Sequence, residues 1–155
     1  MDDPNRISFT VKLDEWLRQR FDIAVGAKNL ARLTRVGNVN CRYGRVCELY
    51  LRLWPVVDEG IEYWPVKTLV IARLEFRDTR SGHGRALLAF LISQAGVYGY
   101  RNIALECTHD GDDIQGFAKK FGFEHAWPHH PYPHSNWITS VERIAERLNQ
   151  TVVLP

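Results

Sequence analysis

The spacing of apolar residues changes several times along the chain, and each change marks an element. Ile7, Phe9 and Val11 alternate with polar neighbours, which predicts a first strand over residues 6–12. Leu13, Trp16, Leu17 and Phe21 then share one face of a helix expected to stop near Gly26. Residues 27–43 are basic and weakly periodic, fitting a short helix around Leu30 to Leu33 and a turn at Gly37-Asn38. Residues 45–54 alternate cleanly, with Cys47, Leu49, Leu51 and Leu53 on one face and Val46, Glu48, Tyr50 and Arg52 on the other. Pro55 ends that strand, and the acidic segment after it reads as a turn or hairpin tip.

In the second half the pattern is stronger. Residues 66–76 carry the continuous run Leu69, Val70, Ile71 and Ala72, as expected of a strand covered on both faces. A glycine turn follows, then a helix over 83–98 with Leu87, Leu88, Leu91, Ile92 and Ala95 on one side, broken by Gly96 and Gly99. Residues 102–107, NIALEC, form a short strand. Asp110 and Asp112 are N-cap candidates for a helix carrying Ile114, Phe117, Ala118 and Phe121, with Gly122 as its C′ residue. Residues 123–127 suggest another strand, and the proline-rich loop after them has no regular structure. Thr139 and Glu142 have capping-box spacing for a last helix bearing Val141, Ile144, Ala145 and Leu148. Strands early and alternation with helices later imply an α/β fold: one domain with a mixed β-sheet flanked by helices, in which the strands around helix 83–98 run parallel.

Composition narrows the class without choosing a chemistry. At 155 residues, with 45% hydrophobic and 25% charged positions, the chain suits one globular domain. A net charge of +2 does not by itself indicate nucleic-acid or membrane binding. The three cysteines, Cys41, Cys47 and Cys107, form no CxxC pair, and an odd count argues against a disulfide framework. The polar start MDDPNR is no signal peptide, and no apolar run approaches the ~18 residues that span a bilayer. A cytoplasmic protein is the expectation.

The stretch with most chemistry runs from the buried strand into the glycine turn. Gly82 and Gly84 lie among Arg77, Arg80 and Arg85, where a helix begins. Backbone N–H groups at such a helix start face an anion unobstructed, and the helix dipole favours the charge. A Walker loop is absent, and a dinucleotide fingerprint fails because Leu87 stands at the third glycine position. What remains is TRSGHG, residues 79–84, after a long strand and before a helix, with FAKKFGFE, residues 117–124, further on. Together these segments resemble the signatures of the GCN5-related N-acetyltransferase (GNAT) family, whose fold is the acyl-CoA N-acyltransferase fold. They span residues 66–126, a little under half the chain. The resemblance implies acetyl-CoA as co-substrate, its pyrophosphate on the amides of Arg80, Ser81, Gly82, His83, Gly84 and Arg85. It also implies that the pantetheine arm bonds the main chain at Leu74 and Phe76, where two parallel strands splay. Two positions depart from the family pattern: Thr79 replaces Arg or Gln, and Ala118 replaces the tyrosine that protonates the leaving thiolate in many members.

Acetyl transfer to an amine needs a base, a polarised carbonyl and an acid for the sulfur. Glu75, beside the splay, is a candidate base, directly or through water; it reads equally as a solvated charge opposite Leu74 and Phe76. His109, in the turn after the second parallel strand, is the candidate proton carrier, with simple solvation as its alternative. Tyr98, Tyr100 and Tyr132 are substitutes for the missing acid. Cys107 reads as a packed apolar group rather than a nucleophile. His125, His129, His130 and His134 have no partners at metal-ligand spacing, so no metal is expected. Trp127, Tyr132 and Trp137 either line an acceptor pocket or cover the sheet.

The functional expectation is an acetyl-CoA-dependent N-acetyltransferase acting on an amine of a small molecule or protein by direct transfer. The alternative is a catalytically silent GNAT-like domain that binds CoA or a protein or nucleic-acid partner. The basic stretch Arg18, Arg20, Lys28, Arg32 and Arg35 is the weak support for nucleic acid. A second copy of the chain stands among the partners considered, and a membrane does not.

Overall fold

The structure, a computed structural model, describes residues 3–23, 29–54, 64–78, 81–106, 112–126 and 136–149. The chain opens with helix α1 (Pro4–Arg20), not with the strand that the alternation of Ile7, Phe9 and Val11 predicts. Asp3 caps it, accepting a hydrogen bond from the Asn5 N–H (2.9 Å), and a proline sits in its first turn. Phe9, Leu13 and Leu17, four residues apart, form its buried stripe. Ile7 and Val11 are 42% and 52% exposed while Phe9 is fully buried, so the three never shared a face. Three alternating residues are too short a pattern to establish a strand; the cap and the long stripe decide for the helix. The helix ends at Arg20, before the Gly26 boundary, which lies outside the described residues.

Strand β1 (Ala31–Leu33) occupies the place of the short helix expected around Leu30 to Leu33. Asp14 of α1 accepts from the Leu30 and Ala31 N–H groups (2.6 and 2.9 Å), which holds this segment extended. It forms a hairpin with β2 (Val39–Tyr43) through the turn at Gly37-Asn38, as the sequence reading has it. Strands β3 (Cys47–Arg52) and β4 (Thr68–Phe76) follow, then α2 (His83–Tyr98) and β5 (Asn102–Leu105). Helix α2 runs through Gly96 and closes on Gly99, whose φ of +84° is a left-handed C-cap. Then come α3 (Asp112–Lys120), β6 (Glu124–His125), β7 (Trp137–Ser140) and α4 (Val141–Leu148). Strand β7 follows directly on the proline-rich segment and has no counterpart in the sequence reading. Its last residue, Ser140, caps α4 by accepting from the Arg143 N–H (3.1 Å), so the cap is not Thr139.

The result is α/β: among the described residues, one mixed seven-stranded sheet in the order β1-β2-β3-β4-β5-β7-β6, with four helices. Only β4 and β5 pair in parallel, on either side of α2 in the chain, as expected. One sheet face forms the main core with the apolar sides of the helices, including Leu49, Leu51, Leu69, Ile71, Leu88 and Leu91. On the opposite face Val70 and Ala104 pack with Trp64 and Ala126 in a smaller cluster.

Candidate functional site

The site grows from an irregularity in β4. Tyr50 stands opposite Arg73 but Leu51 opposite Ile71, so Ala72 is an extra residue, a β-bulge. Ordinary alternation would put residues 74 and 76 on the same side as Val70. The bulge instead turns Leu74 and Phe76 toward the core face, where both pack against the main cluster, and leaves Glu75 exposed on the other.

The same shift decides where the backbone points. The Arg77 N–H donates to the Val46 carbonyl (3.0 Å). In an antiparallel ladder alternate residues face the partner, so Glu75 and Arg77 turn their peptide groups to β3, and Leu74 and Phe76 turn theirs away. On that far side β5 has already ended: its last rung is the Glu106 N–H to the Ile71 carbonyl (3.0 Å). No described strand pairs with β4 beyond it. Leu74 and Phe76 thus present an edge of main-chain donors and acceptors beside a gap between two parallel strands.

Helix α2 begins across that gap. Its N-cap is Gly82, at φ +74°, a left-handed conformation that is easy only for glycine, and no side chain caps the helix. The first intrahelical bond is from the Ala86 N–H to the Gly82 carbonyl (2.9 Å), so the N–H groups of His83, Gly84 and Arg85 have no helical partners. Gly84 has a different reason to be small. A Cβ there would stand 2.7 Å from Cε2 of Phe117, so the glycine lets α3 close against the start of α2.

Both features open into one cavity of about 600 Å³. Leu74 and Phe76 form one wall, Gly82, His83, Gly84 and Arg85 the second, and Ile114, Phe117 and Phe121 of α3 and its end the third. Lys120 and Asp78 complete the lining. The Arg85 guanidinium and the Lys120 ammonium lie 6.0 and 5.5 Å from the Phe121 ring centre, which brings two cations to the rim. Asp78 is bonded to the Ser81 hydroxyl, which braces the turn.

Arg20, at the end of α1, grips the turn from behind. Its Nε donates to Nδ1 of His83 (2.9 Å) and its Nη2 to the Ser81 carbonyl (2.9 Å). His83 is wedged between Phe21 and Phe76, with ring centres 4.8 and 5.2 Å away. Burial lowers its pKa and the Arg20 charge lowers it further, which favours the neutral ring whose Nδ1 can accept from Arg20.

Of the residues singled out in the sequence, Leu74, Phe76, Gly82, His83, Gly84 and Arg85 thus meet at one cavity, with Ser81 in the turn beside it. Glu75 lines a neighbouring depression instead. Arg80 and His109 lie outside the described residues, as do Thr79, Cys107, Trp127 and Tyr132. Ala118 is buried in the main core. Tyr100 is buried too, bonded to the Leu91 carbonyl, and Tyr98 pairs with Ser8 (2.7 Å). Among the described residues no group of three potential ligands could hold a metal ion, and no helix is long and apolar enough to cross a membrane. Arg20, Asp78 and Lys120 were not placed at the site by sequence. Arg20 reads there as one charge in a basic stretch, and only the fold brings it to the turn.

No protein-family model matches the sequence, and no curated protein is significantly similar to it. Among solved structures the chain is similar to a mutant of the toxin AtaT bound to the C-terminus of the antitoxin AtaR and acetyl-CoA. Identity is 15% and the TM-score 0.43, over 68% of this chain and 64% of that one. At those values the likeness bears on neither the site nor the activity.

Proposed function

We propose that residues 1–155 form a single GNAT-like domain that acts as an acetyl-CoA-dependent N-acetyltransferase. The observation that supports this reading best is the cavity shared by the open edge of β4 and the uncapped start of α2. A diphosphate fits the second, where helix N–H groups and the Arg85 and Lys120 cations offset its charge. An amide-bearing arm fits the first, exchanging hydrogen bonds with Leu74 and Phe76 as an added strand would. Acetyl-CoA carries both groups on one molecule.

In the transfer itself the amine lone pair forms the new C–N bond and the C–S bond breaks. Sulfur leaves with that electron pair, and the proton lost by nitrogen is made up on sulfur through solvent or side chains. The chain's part is to hold the thioester at the gap, where a free main-chain N–H of β4 polarises the carbonyl.

Titration calorimetry with acetyl-CoA and CoA tests the binding half. Wild type should bind both, and Lys120→Glu should lose about tenfold or more in affinity, as expected when a charge-assisted contact becomes repulsive. Absence of heat with folded protein would remove the proposal. A second reading, CoA binding without transfer, is favoured by Ala118, where the resembling family has its tyrosine. Thioester turnover against a panel of amines separates the two.

A further inference from the structure

A second depression, of about 420 Å³, opens at the ends of β2, β3 and β4, with Phe76 as the wall it shares with the first. Its charged lining is Arg42, Arg45, Arg77, Glu48 and Glu75. All three arginines are exposed, and together on one lining they raise the local positive potential. Two carboxylates share the lining with the three guanidiniums, which leaves one positive charge in excess. Glu48 stands directly opposite Arg42 in the β2–β3 register, yet its carboxylate is taken by Arg73 of β4 (Oε1 to Nη1, 2.6 Å). Among the described residues none of Arg42, Arg45 and Arg77 has an ion-pair partner. Glu75 is the remaining carboxylate; among the described residues it is in no ion pair, though its charge acts on Arg73.

Unpaired planar guanidiniums match the oxygens of a carboxylate or phosphate. Glu75, the carboxylate of that lining in no ion pair among the described residues, suits a cation. We infer that this depression receives the acceptor, an amine on a molecule that also bears an oxyanion. Arg42, Arg45 and Arg77 hold the oxyanion, and Glu75 draws the ammonium toward the wall shared with the cavity. The inference rests on the transferase reading and adds to it a substrate class, zwitterionic amines over neutral or purely cationic ones.

The test uses the full chain, three small probes and two variants. O-phosphoethanolamine and β-alanine carry an amine with a phosphate or a carboxylate, and ethanolamine carries the amine alone. Arg45 and Arg77 are exposed residues outside the strands, so Arg45→Ala/Arg77→Ala should keep the fold, which circular dichroism verifies. Calorimetry should show wild type binding at least one anionic probe, the tighter one naming the oxyanion. The double variant should lose about tenfold or more in that affinity, while Lys120→Glu, in the other cavity, should not. In turnover, the preference in KM for the anionic amine over ethanolamine should collapse toward one in the double variant.

Equal affinity for ethanolamine and its phosphate ester would overturn the inference. So would heat lost in Lys120→Glu but kept in the double variant, or no heat from either anionic probe. If acetyl-CoA fails to bind, the transferase reading falls by itself, because the probe titrations need no acetyl-CoA and still decide the oxyanion site.

Discussion

At the residue scale, the two glycines of the turn are small for separate reasons, and substitution should separate them. Gly84→Ala puts a methyl 2.7 Å from Phe117, an overpacked contact expected to cost about 1–3 kcal/mol in denaturant unfolding. Adding Phe117→Leu should recover much of that loss. Gly82→Ala meets no nearby atom, its closest neighbour being Nη2 of Arg20 at 3.9 Å, but must adopt φ +74°, at a cost of about 1–2 kcal/mol. The cysteines behave as core residues. Burial pushes the Cys47 thiol up to about 12, and burial raises Cys41 as well. With Cys107 replaced by serine, the native protein should give no fast reaction with a thiol reagent, and unfolding in guanidinium should release both thiols. The glycine turn and the packed cysteines were legible as residue types. Which glycine answers to Phe117 was not, because 33 residues separate the partners.

At the scale of elements, α1 is tied to the sheet by one carboxylate. Burial of Asp14 would raise its pKa, but hydrogen bonds from Ala31, Arg18 and Leu30 outweigh it and hold the group below its ordinary value. A depressed carboxylate contributes stability above its unfolded pKa, near 3.9, and loses it as pH falls through the lower native value. Asp14→Asn should therefore flatten the acid limb of the stability curve, measured by unfolding between pH 2 and 5. The edge of β4 offers a second test. Its alternation predicts fast amide exchange at Leu74 and Phe76 and protection at Glu75 and Arg77, with acetyl-CoA slowing the first pair. The boundaries of α2 were readable because period, glycine stop and basic turn all agree at its ends. Strand β7, only four residues long and directly after a proline-rich segment, carries too short a pattern to be seen until β5 and β6 pair with it.

At the scale of the whole molecule, the two depressions share Phe76 as a wall, with Leu74 in the first and Glu75 in the second. Leu74 and Glu75 stand on those sides because Ala72 is an extra residue in β4. Because Ile71 already stands opposite Leu51 and Arg73 opposite Tyr50, deleting Ala72 should close the ladder with Leu74 and Phe76 still facing the core, and acetyl-CoA binding should survive, as calorimetry beside circular dichroism would register.

By itself the amino-acid order determined what local physics can decide: the apolar run of β4, the glycine turn, α2, β5, α3 and α4, and hence an α/β protein with a parallel pair and a helix start fit for an anion. Only the tertiary structure decided that α1 is a helix, that β1 and β7 are strands, that Ala72 bulges, and that Arg20 and Lys120 reach the site while Glu75 turns to its neighbour. Capping, turn chemistry and period act within a few residues and leave their mark in the chain. Strand pairing, and the side of the sheet on which a residue emerges beyond a bulge, depend on partners distant in sequence.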